Sequence, residues 1–220
     1  ERLFPGLPEL VVEGLEDGRF ADRHGWQGAQ PTTGQLEALR EALRREGFAS
    51  ESDLDEGIPL LTQLIAATLN TRLPEGTRLA TRPPESLCVE MEFHFELAPV
   101  AVEALLALLH AHGLLPERRG FGLRARLEGL LTGRIDLVYE AQGRYYVLDY
   151  KSNQLADYGV AATARAVRES EYDLQYLLYT LALHRWLRFR LGDAYDIARH
   201  LGGVRYVFCR GLDPDTDDSP

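Results

Sequence analysis

Asp136, Asp149 and Lys151 are the residues whose types and spacing could do chemistry together. Asp136 lies in the largely apolar run Ile135 to Tyr139. Asp149 and Lys151 close a second such run that begins at Tyr145. Between the runs, Glu140-Ala-Gln-Gly-Arg144 supplies a short polar turn with Gly143, so the stretch reads as a β-hairpin. Strand side chains alternate, which puts Asp149 and Lys151 on one face and Tyr150 on the other. Asp136 on the partner strand brings a second carboxylate towards that face. Charges on strands that otherwise call for burial are costly unless something compensates them. A metal ion would compensate them. Carboxylate oxygens are ligands for Mg2+ or Mn2+, and Mg2+ keeps coordination positions for water and a phosphate oxygen. Such an ion acidifies bound water and stabilises charge on phosphorus-bound oxygens. A Lys beside it can orient or deprotonate the attacking water, or neutralise developing charge. These are the parts of metal-assisted phosphodiester hydrolysis. Taken alone, Asp-x-Lys is a weak motif, because strands often end in solvated charges.

The elements that must position these residues can be read along the chain. Residues 1–30 are poorly patterned. Thr33 is placed to cap a helix with Leu36, Leu39, Ala42 and Leu43 on one face, closing at Gly47. A second helix is expected from Pro59 to Thr71. The three prolines between Arg72 and Ser86 predict a linker or surface loop. Leu87 to Glu96 reads as a strand, with Val89, Met91, Phe93 and Phe95 on one face and Glu90, Glu92, His94 and Glu96 on the other. Pro99 to Gly113 reads as a helix, and 114–126 as a basic loop with Arg118, Arg119, Arg124 and Arg126. After the hairpin, one long helix is expected over Ala164 to Leu191, then a strand over Gly203 to Arg210. The order is β, α, β-hairpin, α, β. It predicts an α/β fold: a mixed β-sheet flanked by helices, with an N-terminal helical annex. The expected division is a mainly helical annex over 1–86, a core over 87–213 and an acidic tail over 214–220.

The chain has 220 residues, 45% hydrophobic and 26% charged, with a formal charge of −10. This is an ordinary globular composition. No apolar run approaches the roughly 18–20 residues of a membrane span. The chain opens on Glu1 rather than Met and reads as part of something longer. An acidic balance argues against a module that coats nucleic acid with its whole surface. It leaves room for an enzyme that touches a few phosphates through a metal and a local groove. Cys88 and Cys209 read as free thiols of a reducing cytosol. No Gly-x-x-x-x-Gly-Lys-Ser/Thr occurs, which excludes a phosphate-loop ATPase for this stretch.

Three ordered segments carry a resemblance: Gly133-Arg-Ile-Asp136, Tyr145 to Asn153, and Tyr172 to His184 with Gln175 and Tyr179 spaced as Gln-x-x-x-Tyr. Together with Val89 to Phe93 and Gly202 to Gly211, they resemble the RecB family of C-terminal nuclease domains, from the β subunits of exonuclease V (RecBCD). The resemblance covers roughly residues 87–213 and places the chain in the PD-(D/E)xK, restriction-endonuclease-like superfamily. It implies a metal-dependent DNA exonuclease of double-strand-break repair and recombination. Mg2+ would be the cofactor, with Mn2+ or Ca2+ as possible occupants. Asp136, Asp149 and the Tyr150 carbonyl would be metal ligands, and Lys151 the catalytic lysine. Gln175 and Tyr179 would meet DNA or buttress the site, with Tyr172 and Trp186 near their stripe and Leu174, Leu177, Leu178 and Leu181 facing the core. It also implies DNA as substrate, a helicase region on the same polypeptide, RecC-like and RecD-like partner subunits, and a bacterial cytoplasm.

The family's upstream Gly-x-x-x-His, a metal ligand, has no counterpart here. Its His position falls near Val12, and Glu13, Glu16 and His24 do not have its spacing. That gap motivates a second expectation, a weakened or inactive nuclease-like module for DNA guiding or subunit docking. Glu92 is the other acidic residue for which a place near the metal is expected. CRISPR-associated relatives with iron–sulfur clusters rank lower, because four cysteines are needed and two are present.

Overall fold

The computed structural model describes residues 31–170 and 172–213. Val12, Glu13, Glu16, His24 and the 214–220 tail lie outside the described residues. Four strands form one sheet in the order β1-β2-β3-β4: β1 (Leu87–Ala101), β2 (Arg126–Ala141), β3 (Arg144–Lys151) and β4 (Leu201–Phe208). The first three are antiparallel neighbours, and β4 runs parallel to β3. The β2–β3 turn is tight because Gln142 and Gly143 both take positive φ, at 55° and 77°. That conformation matches the twist of a two-residue hairpin.

Helices cover both faces. On one lie α1 (Thr33–Arg45) and α2 (Glu51–Asn70). Thr32 caps α1 in a reciprocal box with Gln35, and Ser50 caps α2 in another with Asp53. Their apolar stripes, including Leu39, Leu43, Leu61 and Ile65, pack on Leu137, Tyr139, Leu148, Tyr150 and Val207 of the sheet. The N-terminal helices therefore form a full layer. α2 begins at Glu51, eight residues before the expected Pro59. Pro59 lies inside the helix, and the cap at Ser50 together with the buried stripe outweighs the backbone bond that proline omits. The connection after α2 is also less superficial than its prolines suggest. Leu73, Leu79 and Ala80 are buried in the same core, and the buried Glu75 carboxylate pairs with Arg205 at 3.2 Å.

The other face carries α5 (Tyr172–Leu191), which packs Tyr179, Ala182, Leu183 and Leu187 on Met91, Phe95, Ile135, Val138 and Val147. The expected single helix over 164–191 is two: α4 (Val160–Glu169) ends with Ser170 as its C-cap, before α5 begins. The remaining helices are α3 (Val102–Ala111), after a β1 that continues to Ala101, and the one-turn α6 (Ile197–His200). Among the described residues, no helix is long and apolar enough to cross a membrane.

The alternation of β1 departs from expectation at one residue. Leu87 and Val89 pack with the α1–α2 layer, whereas Met91, Phe93 and Phe95 pack with α5. Glu90, between them, has φ +48°. A single left-handed residue rotates the following side chains to the other face without shifting the register with β2.

Candidate active site

The sheet opens where the charges lie. β2 and β3 pair in register from Ala141–Arg144 to Leu137–Leu148, and the ladder stops there. The next residues in that register are Asp136 and Asp149. In place of a ladder bond, the Tyr150 amide donates to Asp136 Oδ2 at 2.9 Å. The carboxylate thus substitutes for a backbone acceptor and props the strands apart. The hairpin closes on one side of this notch, and β3 stays paired with β4 on the other through Lys151–Phe208.

Asp149 is 3% exposed and Lys151 8% exposed, so both charges are out of water. They form a closed ring with two side chains of α5. Lys151 Nζ pairs with Asp149 Oδ2 and donates to Gln175 Oε1 at 2.9 Å. Gln175 Nε2 donates to the Tyr179 hydroxyl at 2.8 Å. That hydroxyl directs its one proton between Asp149 Oδ1, at 3.2 Å, and the Arg134 carbonyl, at 3.1 Å. The i, i+4 spacing of Gln175 and Tyr179 puts both on the inner face of α5, where the ring can close. Two aromatic faces complete the lysine's surroundings. Nζ lies 3.7 Å from the Tyr172 ring centroid and 5.0 Å from that of Tyr206.

This arrangement brings the α5 pair onto the lysine and the carboxylate. Gln175 and Tyr179 buttress the lysine and the carboxylate. It also corrects the assignment of helix faces. Leu181 is 41% exposed, and the core stripe runs through Tyr179, Ala182, Leu183 and Leu187. A leucine-rich run marks a helix without marking its inner side, and here the polar pair lies on that side.

The electrostatics are those of a site short of positive charge. Burial pushes the Asp136 carboxyl up to about 6, and the charge of Asp149 adds to the effect. The Tyr150 amide and Lys151 oppose it, while Glu90 contributes further upward. Asp149 is also raised by burial, against the pull of Lys151 and the Tyr179 hydroxyl. The Lys151 ammonium lies against the buried Asp149 Oδ2 as a charge-assisted pair. Two crowded, desolvated carboxylates with hard oxygen donors fit a divalent cation. Among the described residues, no cluster of three or more His, Cys, Asp or Glu comes together to hold a metal. The oxygens that could hold a cation here are those of the Asp136 and Asp149 carboxylates and the backbone carbonyl of Tyr150, whose side chain is buried in the α1–α2 core.

Glu92 is not brought to this place. It is solvent-exposed, with its carboxylate 3.8 Å from His94 Nε2. The acidic residue of β1 that does face the site is Glu90. It lies across from Asp136, between the pairs Val89–Leu137 and Met91–Ile135, and binds Arg134 at 2.7 Å. Its signal was its place in register with Asp136, which the alternation pattern alone does not reveal. Tyr206 was also missed; it lies in β4, far along the chain, and nothing local marks it.

The model of the PD-(D/E)XK nuclease superfamily matches residues 18–212. The chain is similar to the RecBCD enzyme subunit RecB of Escherichia coli (strain K12), at 41% identity over 183 residues, which are 80% of this chain and 15% of that protein. It is 37% identical to the same-named subunit of Haemophilus influenzae over 82% of this chain and 14% of the relative. A third, from Mycobacterium tuberculosis (strain CDC 1551 / Oshkosh), is 52% identical over 91 residues, 39% of this chain and 8% of the relative. The chain thus spans about 15% of the length of the first of these relatives.

Proposed function

The chain belongs to the PD-(D/E)XK nuclease superfamily, and from that premise we propose that it hydrolyses DNA phosphodiester bonds with a divalent metal held by Asp136, Asp149 and the Tyr150 carbonyl. The observation that carries this reading is the ring of Asp149, Lys151, Gln175 and Tyr179 beside Asp136. Held by these residues, such an ion would supply Lewis-acid stabilisation of charge on the scissile phosphate. Mg2+ is the resident we assign, with Mn2+ or Ca2+ able to take its place.

The chain's own residues do the rest. Lys151 is surrounded by a carboxylate, an amide carbonyl and two ring faces, all of which attract a cation. We assign it the neutralisation of developing charge and the orientation of the attacking water, in preference to proton abstraction. Gln175 and Tyr179 fix its position and that of Asp149, so little reorganisation is needed during reaction. The Tyr150 amide holds Asp136.

The relatives are named as subunits of the RecBCD enzyme. On that support the chain is the nuclease portion of a RecB-like subunit, an exodeoxyribonuclease V type enzyme of double-strand-break repair in the bacterial cytoplasm. It would work with a helicase region on the same polypeptide and with RecC-like and RecD-like subunits. The test is cleavage of linear single- and double-stranded DNA in Mg2+, alone and within the longer subunit. Cleavage lost in Asp149→Ala and Lys151→Ala supports the reading. Equal cleavage by both variants overturns it.

A further inference from the structure

Lys151 is the one lysine among the chain's 24 lysine and arginine residues. Its ammonium lies 3.7 Å from the centroid of the Tyr172 ring. The other cation–ring contacts among the described residues span 4.9 to 5.4 Å. We propose that Tyr172 is a positioning residue for Lys151: its ring face fixes the ammonium, and Asn153 fixes the ring. The inference rests on the nuclease reading above, which gives Lys151 its task.

An ammonium carries three N–H donors. Asp149 Oδ2 and Gln175 Oε1 take two of them. The third has the Tyr172 face, and the face of a π-system attracts a cation. A ring suits this place because it brings no charge. A carboxylate there would add a third anion beside Asp136 and Asp149. The ring also holds the ammonium without drawing on the Asp149 oxygens that we assign to the metal. Arginine serves at every other basic position, but a guanidinium spreads its charge over a planar fork. Here three partners converge on one nitrogen.

The ring is itself held in place. Tyr172 opens α5, and its hydroxyl donates to Asn153 Oδ1 at 3.2 Å. Its carbonyl accepts from the Tyr206 hydroxyl at 2.6 Å, and the Tyr206 ring lies 5.5 Å away. Asn153 stands two residues past Lys151, and its own carbonyl accepts from the Tyr158 hydroxyl at 3.0 Å. Between them, the Ser152 carbonyl accepts from Arg210 Nε, also at 3.0 Å. The chain therefore leaves the lysine along a fixed path and returns through the Asn153 amide to the ring against its ammonium. This circuit ties the position of Nζ to that of Asn153.

Ring fluorines withdraw charge from the π face with little change of shape, so they separate attraction for a cation from packing. The series is Tyr172→Phe and the replacement of Tyr172 by phenylalanine with one, two or three ring fluorines. Within the longer subunit, kcat on linear DNA should fall stepwise, by about tenfold over the series, with KM held within about twofold. In the intact chain, the unfolding constant from chemical denaturation should rise stepwise by a similar factor. That trend should vanish in a Lys151→Met background. Tyr172→Leu should cost more than Tyr172→Phe in both readouts, since only phenylalanine keeps the face. Asn153→Ala and Tyr172→Phe should each lower kcat about threefold, and no further in combination, because both break one hydrogen bond. A flat fluorine series in an enzyme that cleaves DNA, or an unfolding trend that survives Lys151→Met, would overturn the role of the ring. Additive losses at positions 153 and 172 would overturn that of Asn153. A parent that shows the coupled unfolding trend and cleaves no DNA, alone or within the longer subunit, supports the ring contact and overturns the nuclease reading instead.

Discussion

Lys151 of β3 donates to Gln175 of α5 at 2.9 Å, across 24 residues of sequence. The bond joins β3 to the helix that covers it. It also accounts for a glutamine on the inward face of an otherwise apolar stripe. Lys151→Ala removes the cation and should reduce the rate of DNA cleavage by about 100- to 1,000-fold, the scale for losing a preorganised electrostatic group. Gln175→Ala leaves the lysine in place without its amide partner. A loss of about ten- to a hundredfold is expected, as for residues that orient a ligand or catalytic group. Mn2+ affinity measured calorimetrically should stay within about threefold of the parent. A Gln175→Ala variant with full activity would show that the bond is incidental.

Tyr179→Phe isolates one hydroxyl. That group accepts from Gln175 and shares its proton between Asp149 Oδ1 and the Arg134 carbonyl. Phenylalanine preserves the packing beside Phe93, whose ring lies edge-on at 6.3 Å. It leaves buried polar atoms short of a partner, at a cost of about 1–3 kcal/mol. Chemical denaturation should register that loss. Weaker Mn2+ binding should accompany it, because Asp149 loses its anchor. A variant as stable as the parent would place water, rather than the ring of side chains, as the partner of these atoms.

Gly133, three residues before Asp136, has a steric reason to be glycine. A Cβ built there would come within 2.4 Å of the Phe93 ring. Gly133→Ala must displace that ring, which packs edge-on with Tyr179. A loss of about 1–3 kcal/mol is expected, as for overpacked cores. Phe93→Leu should recover part of it when combined with Gly133→Ala. Additive losses in the double variant would refute the contact as the cause.

Much of this site was legible in the sequence because its central parts are local. The hairpin, its polar turn at Gly143 and the alternation that buries Asp149 with Lys151 follow from short-range rules. The i, i+4 spacing of Gln175 and Tyr179 was visible as well. What escaped depended on contacts between elements. The side of α5 facing the sheet is set by the ring to Lys151, so counting leucines pointed to the wrong face. The left-handed residue at Glu90 inverts the alternation of β1 halfway along, and the register with β2 sets Glu90, rather than Glu92, opposite Asp136. Pro59 signalled a helix start that the capping box at Ser50 had already supplied.

Asp136 gives the domain a pH dependence with a definite sign. Its carboxyl is raised from 3.8 to about 6, chiefly by burial and then by the charge of Asp149. The folded state therefore holds this proton more tightly than the unfolded chain does. The resulting stabilisation is complete below about pH 4 and is lost as pH rises through about 6. In EDTA at pH 7.5 the ionised Asp136 is a liability of up to about 3 kcal/mol, from about two units at 1.36 kcal/mol each. Asparagine in its place keeps an oxygen to accept from the Tyr150 amide and carries no charge. Asp136→Asn should therefore melt higher than the parent in EDTA at pH 7.5, with the gap closing towards pH 5. Divalent metal should reverse the order if the Asp136 carboxylate is a ligand, since binding would require it ionised. Mn2+ should stabilise the parent and not the variant. In the parent, the Mn2+ dissociation constant should rise about tenfold per unit of pH below about 6, as one proton competes for the site. Thermal melts of both proteins across pH 5–8, with EDTA and with Mn2+, provide the check. A variant less stable than the parent in EDTA at pH 7.5 would mean that Asp136 is retained for structure and not for the ion.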